Sequence, residues 1–172
     1  MSSDVNNEMD EITENLYLGG YIGAKNIEKL KNLGIKKVLS IMNNRFPEYK
    51  ENDNIVHKAL TVYDFEKENI IKFFGECLNF IKGDDKVLVH CGAGSSRSAT
   101  IVIAYIMWTK KMSFKEALEF VKNKRQTVKP NPAFMDQLEL FGKILVENNY
   151  DIDKIKFEEI KWEPKAHYDF DI

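Results

Sequence analysis

The sequence predicts an α/β fold, a mostly parallel central sheet of about five strands flanked by helices. Three observations carry this expectation. Short runs of β-branched and apolar residues alternate with runs of helical period, the order that builds parallel sheets. Val87-Leu88-Val89 is wholly apolar, as a strand buried on both faces requires. The segment after it, Ser98 to Lys110, is apolar almost all round, so a helix there belongs at the centre of the molecule.

Residues 1–11 are polar and acidic and read as a disordered lead-in. Leu16-Tyr17-Leu18 is a short strand ending at Gly19-Gly20. Ile27, Leu30 and Leu33 recur at helical spacing within a helix over Ile22 to Leu33, and Gly34 is placed to stop it. Lys37 to Met42 and Ile55 to Val62 read as strands joined by a loop containing Pro47. In a helix over Ile70 to Ile81, Phe74, Cys77, Leu78 and Ile81 share one face, and Gly83-Asp84-Asp85 ends it. Ser113 with Glu116 makes a capping box for a helix over Phe114 to Lys124. Pro132 suits the first position of a last helix through Val146. One folded unit is therefore expected over 12–147, followed by an acidic C-terminal extension over 148–172. Ile152, Phe157, Ile160 and Trp162 within that extension favour packing as an irregular appendage over service as a docking tail.

A chain of 172 residues, 44% hydrophobic and 30% charged, has the makings of an ordinary globular core. Its net charge of −2 supplies no general attraction to nucleic acid or to an acidic membrane, so any anion site must be local. Two cysteines are too few for a disulfide framework, which points to a reducing compartment: the cytoplasm, with the nucleus as the alternative. No membrane anchor is expected, because the N-terminal residues lack an apolar export stretch and the most apolar run is too short to span a bilayer. A monomer is expected.

The informative stretch is His90-Cys91-Gly92-Ala93-Gly94-Ser95-Ser96-Arg97-Ser98, which joins a buried strand to a buried helix. Backbone N–H groups in such a loop, paired with neither strand nor helix, can converge on an anion. The helix N-terminus adds its positive dipole end. Gly92 and Gly94 permit the backbone angles a cradle needs. Arg97 offers a planar fork for two phosphate oxygens. The same positive field favours the thiolate form of a cysteine lying beneath it, and a thiolate can attack phosphorus. Buried cysteines are usually inert filler; Arg97 and Ser98 at this register are what set Cys91 apart. His90 is a poor base for Cys91, since adjacent strand residues face opposite ways, and its expected work is to order the loop. A pairing of Cys91 with His57 stays open as a lesser alternative. The stretch lacks the Gly-Lys of a nucleotide P-loop, and no metal-ligand cluster is visible, so no cofactor is expected. Cys77, at core spacing, reads as buried filler, with a redox partnership as the alternative.

His90-Cys91-x5-Arg97-Ser98 resembles the signature of the protein tyrosine phosphatase superfamily, and HCGAGSSRSAT followed by IVIAYIM resembles its dual-specificity branch. The likeness extends to ITENLYLGG, LGIKKVLSIMN, KMSFKEALEFVKNKR and KPNPAFMDQLELF. The resemblance implies a phosphatase-like fold with the catalytic domain over 12–147. It implies Cys91 as nucleophile, Arg97 as binder of the phosphoryl oxygens, and Ser98 as hydrogen-bond donor to the departing sulfur, with helix capping as the alternative for Ser98. It also implies Gly92, Ala93, Gly94, Ser95 and Ser96 as the source of phosphate-binding amides, and His90 as the residue that orders them. Asp64 matches the family's general acid, although its interval to Cys91 is a few residues short; Glu66 and Glu68 are rivals. Asn131 resembles a position that braces the phosphate loop, or is a turn residue.

The expected activity is hydrolysis of phosphotyrosine and phosphoserine or phosphothreonine in proteins through a cysteinyl-phosphate intermediate. The partner expected is a phosphorylated protein. The alternatives are the same fold acting on a phosphoinositide or an RNA 5′-phosphate, and a catalytically silent phosphoprotein-binding module. The basic stretch Lys122, Lys124, Arg125 and Lys129 reads as a solvated helix end, with recognition of acidic substrate as its alternative.

Overall fold

A computed structural model describes residues 8–168. Its sheet has five strands in the order β1-β2-β5-β3-β4: β1 (Met9–Thr13), β2 (Leu16–Gly19), β3 (Ile35–Met42), β4 (Val56–Thr61) and β5 (Lys86–His90). All neighbours run parallel except β1, which returns antiparallel along β2. Strand β5 is central and its Val87, Leu88 and Val89 are wholly buried. Alternation along each strand divides the core in two. Leu16, Leu18, Leu39, Ile41, Val87 and Val89 face one layer, and Tyr17, Val38 and Leu88 face the other.

The smaller layer holds α1 (Tyr21–Lys25) and α2 (Ile27–Leu33). The single helix expected over Ile22 to Leu33 is thus broken. Asn26, at φ −83° and ψ 79°, ends the first helix, and its side chain accepts from Lys29 N to cap the second. The larger layer holds α3 (Phe74–Ile81), α4 (Arg97–Lys110), α5 (Phe114–Lys124) and α6 (Pro132–Glu147). A tight 3₁₀ turn, Ile70–Phe73, leads into α3. Helix α4 lies at the centre of this layer, with nine buried residues in its run of fourteen, as its all-round apolar sequence requires.

Of the two expectations about the chain ends, the disordered lead-in is revised and the packed extension holds. Part of the lead-in, Met9 to Glu11, belongs to β1, while residues 1–7 lie outside the described residues. A register shift between Glu11 and Thr13 disturbs the two-residue alternation that betrays a strand, and leaves Met9 and Ile12 as the buried pair. The C-terminal extension is packed as far as it is described. Ile152 and Phe157 are buried in the main core, Trp108 Nε1 donates to Tyr150 O at 2.9 Å, and Trp162 Nε1 donates to Asp136 Oδ2 at 3.1 Å. Phe157 fills the space beside Gly75 that any larger residue there would claim. Phe157→Ala is therefore expected to lower stability by about 3 kcal/mol, the cost of an emptied aromatic site; a denaturant melt checks it.

Candidate active site

The end of β5, the loop over 91–96 and the start of α4 build the site. Its geometry follows from where the loop's carbonyls go. Cys91 O accepts from His90 Nδ1 at 3.0 Å, and Gly92 O accepts from Tyr21 N at 2.9 Å. Ala93 O and Gly94 O accept from Arg125, at Nη2 3.1 Å and Nε 3.0 Å. Ser95 O accepts from Lys129 N at 2.8 Å, and Ser96 O from Thr100 N at 2.8 Å and Thr100 Oγ1 at 2.7 Å. Six successive carbonyls are thus turned outward onto fixed donors. In a planar trans peptide the next N–H points the opposite way, so the amides of the loop face inward. Gly94 N lies 3.3 Å from Cys91 Sγ. Gly94 has φ +72°, and a Cβ on it would stand 2.5 Å from the Gly19 carbonyl, so glycine is required there on two counts.

Cys91 is 2% exposed, at the base of this cradle. Its Sγ lies 3.0 Å from Ser98 Oγ. Helix α4 begins at Arg97 with Ser96 as the capping residue, so Ser98 sits inside the first turn and aims its hydroxyl at sulfur; the alternative of a helix cap falls. Arg97 Nη1 is tied to Val62 O and Asn43 Oδ1, both at 3.1 Å. Its buried Nε has no partner among the described residues. One edge of the guanidinium is therefore anchored on the residues just past the ends of β3 and β4, and a buried donor on another is unsatisfied, an arrangement that an oxyanion completes.

Asp64 lies just past β4 and reaches the loop: its Oδ1 accepts from Ser96 Oγ at 2.7 Å and from Asn131 Nδ2 at 3.0 Å. Asn131 also donates its backbone N–H to Ser96 Oγ at 3.0 Å, while its own Oδ1 caps α6 by accepting from Phe134 N at 2.9 Å. Asn131 thus both bonds to Ser96 and Asp64 and caps α6. Of the rival carboxylates, Glu68 is turned back onto Tyr63 N at 3.0 Å.

His90 Nδ1 can meet the Cys91 carbonyl only as a donor, so its Nε2 accepts from Ser40 Oγ. Ser40 in turn accepts from His57 Nε2 at 2.7 Å. His57 therefore ends a chain that supports His90, and the pairing of His57 with Cys91 is not made. Burial pushes His90 down to about 4, against the opposing pull of its bond to the Cys91 carbonyl, so the ring is neutral near pH 7. The unfolded chain takes up this proton near pH 6.5. Between those values the unfolded state binds more protons, so stability is complete above about 6.5 and falls as pH drops toward 4, by about 3 kcal/mol. Burial lowers His57 as well, in the same direction. Denaturation midpoints across pH 4–7 should show this slope, and His90→Asn should remove most of it.

Several site residues carried little sequence signal. Ser40 is a buried polar residue inside an apolar strand, and that incongruity is a detectable mark. Asn43 and Asp10 had none. Arg125 is a correction: the stretch expected to be a solvated helix end has exposed Lys122, Lys124 and Lys129, but Arg125 is 7% exposed and bonded to the loop. Cys77 is buried within the main core, and burial pushes its thiol far up; both cysteines are free.

A buried parallel strand, an amide cradle over a cysteine, and an arginine six residues on define the class of cysteine-dependent phosphatases of the protein tyrosine phosphatase type. The chain belongs to the family described as "Dual specificity phosphatase, catalytic domain", whose model matches residues 16–144. It is 37% identical over 145 residues to Dual specificity protein phosphatase 1B of Arabidopsis thaliana, covering 82% of this chain and 86% of that one. It is 38% identical over 157 residues to Protein phosphatase Slingshot of Drosophila melanogaster, covering 86% of this chain but spanning only 14% of that protein. The crystal structure of DUSP15 superimposes with a TM-score of 0.78 at 33% identity, over 88% of this chain and 98% of that one.

Proposed function

We propose that the protein hydrolyses phosphate monoesters on protein side chains, both phosphotyrosine and phosphoserine or phosphothreonine, in two steps at the Cys91 cradle. In the first, a sulfur lone pair of Cys91 forms an S–P bond as the P–O bond to the leaving side chain breaks. Asp64 gives that oxygen its proton. In the second, water attacks phosphorus, Asp64 takes the water's proton, and the S–P electrons return to sulfur, supported by Ser98 Oγ. Arg97 and the inward amides of Gly92 to Ser96 carry the charge of the transferring phosphoryl group. The observation that carries this reading is the outward bonding of all six loop carbonyls around a cysteine at the base. Asp64 Oδ1 is occupied as a double acceptor, which leaves Oδ2 to hold the mobile proton. Gly92 and Ala93 are exposed, so the cradle opens near the surface and suits short as well as long phosphorylated side chains.

On this reading the catalytic unit expected over 12–147 extends back to Met9 at the start of β1, and the extension is its packed cover. Two free thiols support a reducing compartment, the cytoplasm or the nucleus. Among the described residues no helix is long and apolar enough to cross a membrane. The test is turnover across phosphotyrosine, phosphoserine and phosphothreonine peptides, an inositol phospholipid and a 5′-phosphorylated RNA. Hydrolysis of the peptides, blocked by orthovanadate, is the expected result. Turnover confined to lipid or RNA, or peptide binding with no turnover, would reject the reading.

A further inference from the structure

We propose that Arg125 is a positioning residue for the phosphate cradle and that Asp10, on the edge strand β1, sets it. The inference rests on the reading of the 91–97 loop as that cradle. Four of the loop's six outward carbonyls are held by donors from segments directly flanking or abutting it. The two at the apex, Ala93 O and Gly94 O, are both held by one side chain, which reaches across from the end of α5. Arg125 Nη1 donates to Asp10 Oδ2 at 2.9 Å, so three edges of one guanidinium are engaged at once. A planar fork with five N–H donors is the side chain that can span two consecutive carbonyls and a carboxylate. Gly94 completes the fit, since a Cβ there would stand 2.9 Å from Arg125 Nη2.

The consequence is conformational. A peptide unit rotates as a rigid plate, so a flip at 93–94 or 94–95 would swing a carbonyl oxygen into the cradle and carry an amide donor out of it. Glycine at 94 lowers the barrier to such a flip. Bound phosphate opposes the flip only once it has arrived. Arg125 opposes it beforehand, and donors arranged before the substrate arrives are what make electrostatic stabilisation effective. Asp10 holds the fork's third edge and places a negative charge beside the buried cation. Strand β1 thereby becomes part of the catalytic apparatus without touching substrate.

The experiment compares wild type with Arg125→Gln, Arg125→Lys, Asp10→Asn and the exposed control Lys122→Ala. Each is measured for aryl phosphate kinetics, orthovanadate affinity and thermal midpoint. Arg125→Gln is expected to lower kcat by about 10²-fold, the scale of a small misplacement of catalytic groups, with vanadate affinity falling in parallel. Arg125→Lys should recover part of both, Asp10→Asn should lose less than Arg125→Gln, and Lys122→Ala should match wild type. If Arg125→Gln does not fold, Arg125→Lys and Asp10→Asn decide by the same parallel losses. A lowered thermal midpoint with unchanged kcat and vanadate affinity would overturn the proposal in favour of a purely structural ion pair. Loss confined to KM for acidic peptides, with vanadate binding intact, would overturn it in favour of direct substrate contact. If wild type itself bound no vanadate, the cradle reading would fall with it, an outcome distinct from equal binding by all variants.

Discussion

Cys91→Ser is expected to lower turnover of an aryl phosphate by at least about 10⁴-fold, the loss typical when a nucleophile acting in a coupled unit is removed. Phosphate and phosphopeptide affinity should stay within a few fold of wild type. The two expectations have separate physical origins. Turnover needs the sulfur lone pair to form the S–P bond, and a serine hydroxyl in this site has no base to activate it: His90 is committed to the Cys91 carbonyl and to Ser40, and His57 to Ser40. Affinity comes from groups the substitution does not touch, the inward amides and the Arg97 fork. Serine is close in size to cysteine, and its hydroxyl can keep the contact with Ser98 that sulfur makes at 3.0 Å. Single-turnover kinetics and equilibrium titration on one preparation check both halves. A variant with unimpaired turnover would remove Cys91 from the mechanism.

Asp64→Asn should lower kcat by about 10²- to 10⁴-fold, the range for a positioned general acid. The substitution is unusually clean here. Asp64 Oδ1 accepts from both Ser96 Oγ and Asn131 Nδ2, and an amide oxygen can accept from the same two donors, so the loop stays where it is. What is lost is the transferable proton. The loss in kcat/KM, which reports the step that expels the leaving oxygen, should therefore grow with the basicity of that oxygen: small for an activated aryl phosphate, large for an alkyl phosphate such as phosphoserine. A loss in kcat/KM of equal size for every leaving group would show that Asp64 merely braces Ser96, and would return Glu66 to consideration.

The parts of this molecule legible in the sequence are those governed by local rules. The apolar strand at 87–89, the all-round apolar helix after it and the Cys-to-Arg spacing each follow from burial and short-range geometry, and each stands where it was expected. Residues that join distant segments were not legible. Arg125 follows two lysines at a helix end, and nothing within ten residues reveals that it turns back to two carbonyls on another element. Asp10 sits in a strand whose alternation a bulge disturbs, so both the strand and the ion pair escaped notice. Asn26 broke a predicted helix because its side chain competes for the backbone donor of Lys29, a choice that apolar spacing does not encode. The extension reads as acidic by composition, yet its few apolar residues decide its fate, because Phe157 has a cleft beside Gly75 to fill.

The covalent intermediate is the most direct test of the account. Asp64→Asn enzyme, mixed with an activated aryl phosphate and quenched in acid within one turnover, should gain the mass of one phosphoryl group, and peptide mapping should place it on Cys91. Wild type should show less of it, because Asp64 speeds the hydrolysis of the intermediate. Steady release of phosphate with no phosphoryl group on Cys91 at any quench time, or with the group on a serine of the loop, would contradict the account.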